Sequence, residues 1–490
     1  MHTVIIGSGI AALAAAIRLR AKGMHVSVYE ANEVAGGKLH SFQLGDYRFD
    51  GGPSLFTMPQ FIDELYELAG RDPRAHFNYI PCTEACRYFW EDGKQIHAHS
   101  NPTLFAAEAE RVFGFPSEEL LDYFDHIKNI YDRSGKIFLE RSLHTAATWL
   151  SKDTLHALMD IRKYDLFRSM HQANSIRIGE PHLVQLFDRF ATYNGSNPYK
   201  APGILNVIPW LEHGFGTFFP SGGMAEIPRA LVKLGREMGI KYHFEKRVER
   251  IRTERGKAVG IEVDGHVVMA DTVISNMDVY YTYRYLLPEQ PAPERILNQE
   301  RSSSAMVFYW GIQASFDEIG LHNIFFSDDY KQEFSQLFEG KVMATDPTVY
   351  VNVSSKLEPT DAPNGCENWF VMVNAPADEG QDWEGQATKV RAIVLNKLSR
   401  RLGREIAPLI KEERIWDPKG IEEDTLSYKG ALYGNSSNDR FAAFLRHPNM
   451  SNRIQGLYFC GGSVHPGGGI PLALLSAKIT AELVNGKNGK

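Results

Sequence analysis

Cysteine is scarce. The 490-residue chain carries only Cys82, Cys86, Cys366 and Cys460. That is too few for a disulfide framework, so a reduced, cytoplasmic setting is expected. Cys82 and Cys86 have no second pair or histidine cluster at zinc spacing beside them, and no metal site is read. Positive charge is not in excess either. The 53 Lys and Arg face 60 Asp and Glu, a formal net charge of −7, which excludes a general affinity for nucleic acid. The one long stretch free of acidic and basic residues, Ile454 to Ala477, is broken by glycines, two prolines and a histidine. No spanning helix is expected there. The apolar N-terminal run lacks the basic start of a signal peptide. Internal repeats and low-complexity tracts are absent, and the length suits two or three domains around a large core.

The richest stretch is the first forty residues. Thr3 to Ile6 is a short apolar run, Gly7-Ser8-Gly9-Ile10-Ala11-Ala12 follows, and Leu13 to Ala21 has helical periodicity. His25 to Tyr29 is a second apolar strand ending at Glu30. Strand, glycine turn, helix, strand and acid form a dinucleotide-binding fingerprint. Gly7 permits the tight turn, Gly9 lets backbone approach a pyrophosphate, and Ala12 is small enough for the third position. The helix N-terminus faces the phosphates, and Glu30 accepts from a ribose, which argues against a 2′-phosphate. The bland alternative is a tight turn without a ligand. Gly36-Gly37-Lys38 and Asp50-Gly51-Gly52-Pro53-Ser54 come next. A simple NAD domain has no reason for a second glycine pair behind the ribose acid. A longer FAD molecule threading inward does, and Lys38 adds positive charge to that path.

The fold class read from this pattern is α/β: a discontinuous Rossmann-like FAD-binding domain, a mixed-sheet substrate domain and a helical insert. The FAD domain is assigned to 1–80, 215–290 and 450–490. Within it, a helix is expected from Ala225 to about Met238. Strands at Val248–Arg252, Val259–Val263 and Val267–Met269 form a meander turning at Arg255-Gly256 and Asp264-Gly265. The substrate domain takes 81–99 and 291–449, with apolar strands at Ala305–Gly311, Val349–Val353 and Trp369–Val373. Residues 100–214 form the helical insert, where Leu120, Leu121, Phe124, Ile127, Ile130 and Tyr131 share one face.

Near the C-terminus, the apolar strand Leu457–Cys460 leads into Gly461-Gly462-Ser463-Val464-His465-Pro466-Gly467-Gly468-Gly469-Ile470-Pro471 and then a helix. Three consecutive glycines allow backbone to approach a flat ligand closely. A helix N-terminus aimed at a flavin ring favours its anionic reduced form by roughly 0.3–2 kcal/mol. His465 and Cys460 are read as structural, Cys460 as a small buried hydrophobe.

With both ends read, the chain resembles the bacterial phytoene desaturase family of carotenoid desaturases over nearly its whole length. The matching pieces are IIGSGIAALAAAIRL, YEANEVAGGKL, FDGGPSLFTMP, YNGSNPYKAP, FPSGGMAEIPRAL, VISNMDVYYTY and YFCGGSVHPGGGIPLALLSAKITAEL. GPSLFTMPQF and ATYNGSNPYKAPG look most like the branch that desaturates hydroxylated or monocyclic carotenoids at the 3,4 bond. The resemblance implies an FAD-containing fold like that of amine oxidases, a lipophilic polyene substrate and peripheral membrane association. Carried residue by residue, it implies FAD contacts at Gly7, Gly9, Ile10, Ala11, Glu30, Gly37, Lys38, Ser54, Leu55, Val248, Asn276, Gly462, Gly469 and Ile470. Leu432, within Gly430-Ala431-Leu432-Tyr433-Gly434, would pass over the flavin. Asp153 sits where relatives carry an acid, but His156 stands where an arginine is expected, so the catalytic residues stay unassigned.

The activity implied is removal of two hydrogens from adjacent carbons: hydride leaves an allylic carbon, and a proton leaves its neighbour. The protein supplies a long apolar channel while the cofactor carries the hard chemistry. With a single dinucleotide fingerprint, electrons are expected to leave to oxygen or a quinone. Phytoene desaturation, amine oxidation with Tyr428 and Tyr433 flanking an amine, and flavin-free lipid binding like that of GDP-dissociation inhibitors stand as alternatives.

Overall fold

The computed structural model describes residues 1–152, 154, 164–439 and 446–486. His2–Ile6 is the central strand of a five-stranded parallel sheet ordered 241–243, 25–29, 2–6, 272–275, 457–459. Ile5 pairs in register with Val28 on one side and Ile274 on the other. These strands are near-continuous apolar runs because both sheet faces are covered. One face carries the helices Ile10–Ala21, Glu226–Glu237 and Ile470–Gly486. Ala11, Ala12, Ala14, Ala15 and Ala16 are all buried, and their small side chains let the first helix lie close against the last. The two glycine-rich loops that precede these helices are thereby brought to the same sheet edge. On the other face lies the antiparallel meander Val248–Glu254, Lys257–Val263 and His266–Met269, packed through Val248, Ile251 and Ile261 against Val4, Ile6 and Val273. Both of its turns have paired positive-φ residues, Arg255-Gly256 and Asp264-Gly265, as two-residue hairpin loops require.

A second sheet of seven strands runs in the order 410–416, 304–312, 367–375, 349–352, 322–325, 84–89, 95–99. All neighbours are antiparallel except His322–Phe325 beside Glu84–Phe89. One face packs under the helix Trp383–Leu402 through Trp310, Trp369, Val390 and Val394. The other face meets the first domain: Tyr309 packs with Tyr47 and Phe49, and its hydroxyl donates to the Gly51 carbonyl at 2.6 Å.

The described part of the insert is helical, with Pro102–Phe113, Ser117–Ile130, Met170–Arg177 and Pro181–Asp188. The expected stripe is present, but it points inward. Leu120, Phe124 and Ile127 are buried against Tyr88, Ile96, Ala98 and Phe187. The apolar residues this segment leaves exposed are elsewhere: Leu104, Trp149, Leu150, Phe167 and Ile176. Asp153 and His156 lie outside the described residues. Among the described residues, no helix is long and apolar enough to cross a membrane.

Candidate cofactor and active site

The chain turns from its central strand into its first helix at Gly7, whose φ of +86° suits glycine. Gly9 follows as the helix N-cap without any side-chain cap, so the first-turn amides at Ile10 and Ala11 are open to an external acceptor. A Cβ on Gly9 would lie 2.5 Å from Asn276 Oδ1, which leaves room for backbone alone. Asn276 stitches three segments together: its amide N–H donates to the Ile6 carbonyl and its Nδ2 to the Cys460 carbonyl, each at 2.9 Å.

Glu30 ends the second strand and is buried. Its Oε2 accepts from the Ser8 amide at 2.7 Å and the Ser8 hydroxyl at 2.8 Å, and Oε1 accepts from the Asn32 amide at 2.9 Å. Each carboxylate oxygen has two acceptor directions, so one on Oε1 remains for a ribose hydroxyl. Lys246 donates its amide to the Glu30 carbonyl at 2.8 Å, which sets Val248 two residues further along the meander.

Gly36 donates to the Ser8 carbonyl at 3.0 Å and pairs with Gly9, so Gly37 and Lys38 continue from the pyrophosphate end. The Lys38 ammonium donates to the Leu432 carbonyl at 2.9 Å. Burial pushes Lys38 down to about 8, with Asp278 pulling the other way. The C-terminal loop closes the other side. A Cβ on Gly468 would meet Tyr433 Cα at 2.9 Å, and one on Gly462 would meet Gly468 Cα at 3.3 Å. Gly469 then leads directly into the helix that starts at Ile470. The glycine turns before the first and last helices, Glu30, Asn276 and Lys38 are thus linked around one end of the parallel sheet, whereas Val248 sits on the meander and Ser54-Leu55 lie toward the second sheet, where Ser54 Oγ is 2.7 Å from the Tyr350 hydroxyl. Uncapped helix end, ribose acid and backbone-only approaches are the features a dinucleotide needs, and the residues present fit FAD.

The same architecture is found in known proteins. The model of the family described as flavin containing amine oxidoreductase matches residues 10–485. The chain belongs to that family. It is 50% identical over 485 residues to the 1-hydroxycarotenoid 3,4-desaturase of Flavobacterium sp., covering 99% of each chain. It is 32% identical to the 4,4'-diaponeurosporene oxygenase of Staphylococcus aureus, covering 100% of this chain and 99% of that one. An oxidoreductase from Methanosarcina mazei shares the fold with a TM-score of 0.65 at 17% identity, covering 98% of this chain and 100% of that one. As a member of this family, the chain is an FAD-dependent oxidoreductase of the mixed α/β type its sequence pattern predicts.

Within this family member, His465 is a packing element. Its Nε2 donates to the Arg141 carbonyl at 2.9 Å, its Nδ1 has no partner, and burial pushes it down to about 4. Asn449 fixes the same loop by donating to the His465 carbonyl at 2.8 Å. Burial pushes the Cys460 thiol up to about 12, which keeps it protonated and unreactive.

Sequence reasoning missed three contributors. Arg446 is buried beneath the glycine loop and donates to the Tyr433 carbonyl at 2.8 Å; burial and Arg301 push it down to about 10. Tyr350 and His322 form a hydrogen-bonded pair at 2.7 Å behind Ser54. No local motif marks any of the three, because each acts across a long sequence separation.

Proposed function

We propose that the chain is a carotenoid desaturase that introduces a C=C bond at the 3,4 position of a hydroxylated carotenoid. The observation that carries this reading is 50% identity, across 99% of both chains, to a 1-hydroxycarotenoid 3,4-desaturase. The FAD contacts we assign are those of the converging cleft: Gly7, Gly9, Ile10, Ala11, Glu30, Gly37, Lys38, Asn276, Leu432, Gly462, Gly469 and Ile470, with Ser54, Leu55 and Val248 at its margins. The proposed division gives 1–80, 215–290 and 450–490 to FAD and 81–99 with 291–449 to the substrate, flanked by the helical segment 100–214.

Bound FAD supplies a two-electron acceptor for hydride leaving an allylic carbon. The chain's own task is to orient the polyene and exclude water. Lys38, Tyr350 and Tyr433 each keep some accessible surface, which leaves them able to meet a bound cofactor or substrate. Amine oxidation has less support. Tyr428 already stacks on Tyr280 and carries the Arg301 guanidinium 4.7 Å from its ring centre, so it is not free to flank an amine with Tyr433.

Burial of each methylene is worth about 0.8 kcal/mol. A forty-carbon polyene released into water would therefore lose on the order of 30 kcal/mol, and substrate must pass from bilayer to cleft directly. The protein accordingly works at a cytoplasmic membrane surface, docking through exposed apolar residues of the helical segment: Trp149, Leu150, Phe167 and Ile176. Electrons leave to oxygen or a quinone. The test is incubation with 1-hydroxylated, non-hydroxylated and acyclic carotenoids in liposomes, followed by absorbance. Extension of the polyene by one conjugated bond, seen as a shift to longer wavelength, is expected for the 1-hydroxylated substrate. Turnover of amines without any polyene shift overturns the reading.

A further inference from the structure

We infer that the Tyr350 hydroxyl reads the substrate's own hydroxyl group and selects hydroxylated carotenoids. This rests on the desaturase reading above and names the residue behind its substrate preference.

In a 1-hydroxylated carotenoid the oxygen is on C1 and the bond desaturated starts at C3. Three bonds of about 1.5 Å each separate oxygen from C3, so the two lie within about 4 Å. Any group that recognises this hydroxyl must therefore sit at the flavin, not at the far end of the channel. Tyr350 meets that condition from two sides. Its hydroxyl is 2.7 Å from Ser54 Oγ, in the glycine-rich segment assigned to FAD. Its ring packs in the same cluster as Leu432, whose carbonyl holds Lys38. It lies deep in the protein but retains accessible surface.

The Tyr350 hydroxyl has two hydrogen-bond partners, His322 Nδ1 and Ser54 Oγ, each at 2.7 Å. Burial, reinforced by the nearby Arg189 charge, pushes His322 down to about 3, so the ring stays neutral at working pH. With its one proton given to one of these partners and one lone pair accepting from the other, the phenol oxygen keeps a further lone pair. That lone pair is an acceptor at the edge of an apolar and aromatic cluster that includes Phe370 and Met372. An alkyl end placed there forfeits a hydrogen bond that a hydroxyl donates, and polar groups left unpaired on burial are costly. Tyr350 is a specificity residue here and takes no part in hydride or proton transfer.

The test compares kcat/KM for a 1-hydroxylated carotenoid, its 1-methoxy ether and the non-hydroxylated analogue, in liposomes, with holoenzyme and with Tyr350→Phe. The holoenzyme is expected to prefer the hydroxylated substrate, and the ether, which cannot donate, is expected to behave like the non-hydroxylated analogue. In Tyr350→Phe the selectivity ratio falls about 3- to 10-fold through KM, the range of one neutral hydrogen bond. The flavin absorbance and melting temperature of the variant check that it has folded. A holoenzyme that favours the ether as much as the alcohol overturns the inference without reference to any variant, as does a folded Tyr350→Phe with unaltered selectivity. Turnover of no carotenoid at all overturns the desaturase reading itself, and this inference with it.

Discussion

The Lys38 ammonium donates to the Leu432 carbonyl at 2.9 Å across 394 residues of chain, tying the segment that follows Glu30 to the glycine-bounded loop 430–434. Its position makes a pH dependence. Burial pushes Lys38 down to about 8. The site therefore holds its extra positive charge below about 8 and loses it as pH rises through that value. FAD binding by the apoprotein is expected to weaken from about pH 7 to pH 9.5, and Lys38→Met is expected to flatten that profile. Cofactor titration by flavin fluorescence quenching across this range measures both; a Lys38→Met profile identical to wild type removes Lys38 from the site.

Glu30 makes three hydrogen bonds to Ser8 and Asn32 and keeps one acceptor direction on Oε1. A ribose hydroxyl donating to it forms a charge-assisted bond worth roughly 1.5–3 kcal/mol. Glu30→Ala is expected to weaken FAD binding about ten- to a hundredfold. Because the same carboxylate pins the turn at Ser8, Glu30→Gln is the control: it keeps an acceptor oxygen in place and is expected to lose less. Equal loss in both variants would place the role of Glu30 in charge, not in the ribose bond.

Much of this site is legible in the sequence because its signals are local. Gly7, Gly9 and Glu30 declare a strand–turn–helix–strand unit within one short window, and Gly467–Gly469 before Ile470 declare a second. Asn276 is legible as the end of a parallel strand. What is not legible depends on distant pairings. Ser54 and Tyr350 are 296 positions apart, and Tyr350 meets His322 only because their two strands are neighbours in the second sheet. The helical stripe at Leu120, Phe124 and Ile127 illustrates a different limit. Periodicity reveals an apolar face but not what covers it, and the hairpin Glu84–His99 covers this one.

Three buried histidines predict acid lability. His322 is pushed down to about 3, and His447 and His465 to about 4, in each case by burial first. An unfolded histidine titrates near 6.5. Between that value and the folded value the unfolded chain binds more protons, so stability is full above about pH 6.5 and falls as pH drops toward 4. Each group contributes a slope of about 1.4 kcal/mol per pH unit in that window. The melting temperature is expected to fall steeply below pH 6.5, and His447→Gln is expected to make the fall shallower. A melting temperature flat from about pH 7 to pH 4.5 contradicts the burial argument.

Membrane docking would fall to side chains outside the packed helix faces. The apolar faces of Pro102–Phe113 and Ser117–Ile130 are packed inside, so substitutions there should act on folding and not on lipid. Leu150 is 80% exposed, its chain neighbour Trp149 is half-exposed, and Phe167 is 69% exposed. Trp149 anchors only its indole N–H, which donates to the Leu143 carbonyl at 2.8 Å, and insertion of exposed apolar side chains into the acyl boundary is worth about 1.5–3 kcal/mol for each fully buried one. The double variant Trp149→Glu, Leu150→Glu is expected to stay folded with its flavin, to pellet with liposomes at least ten times more weakly, and to lose activity on liposome-borne carotenoid. Detergent-dispersed substrate bypasses the bilayer, so turnover there should fall far less. Unchanged liposome binding in that variant removes Trp149 and Leu150 from the docking face, whereas equal loss of activity in detergent would mean the substitutions damage the fold.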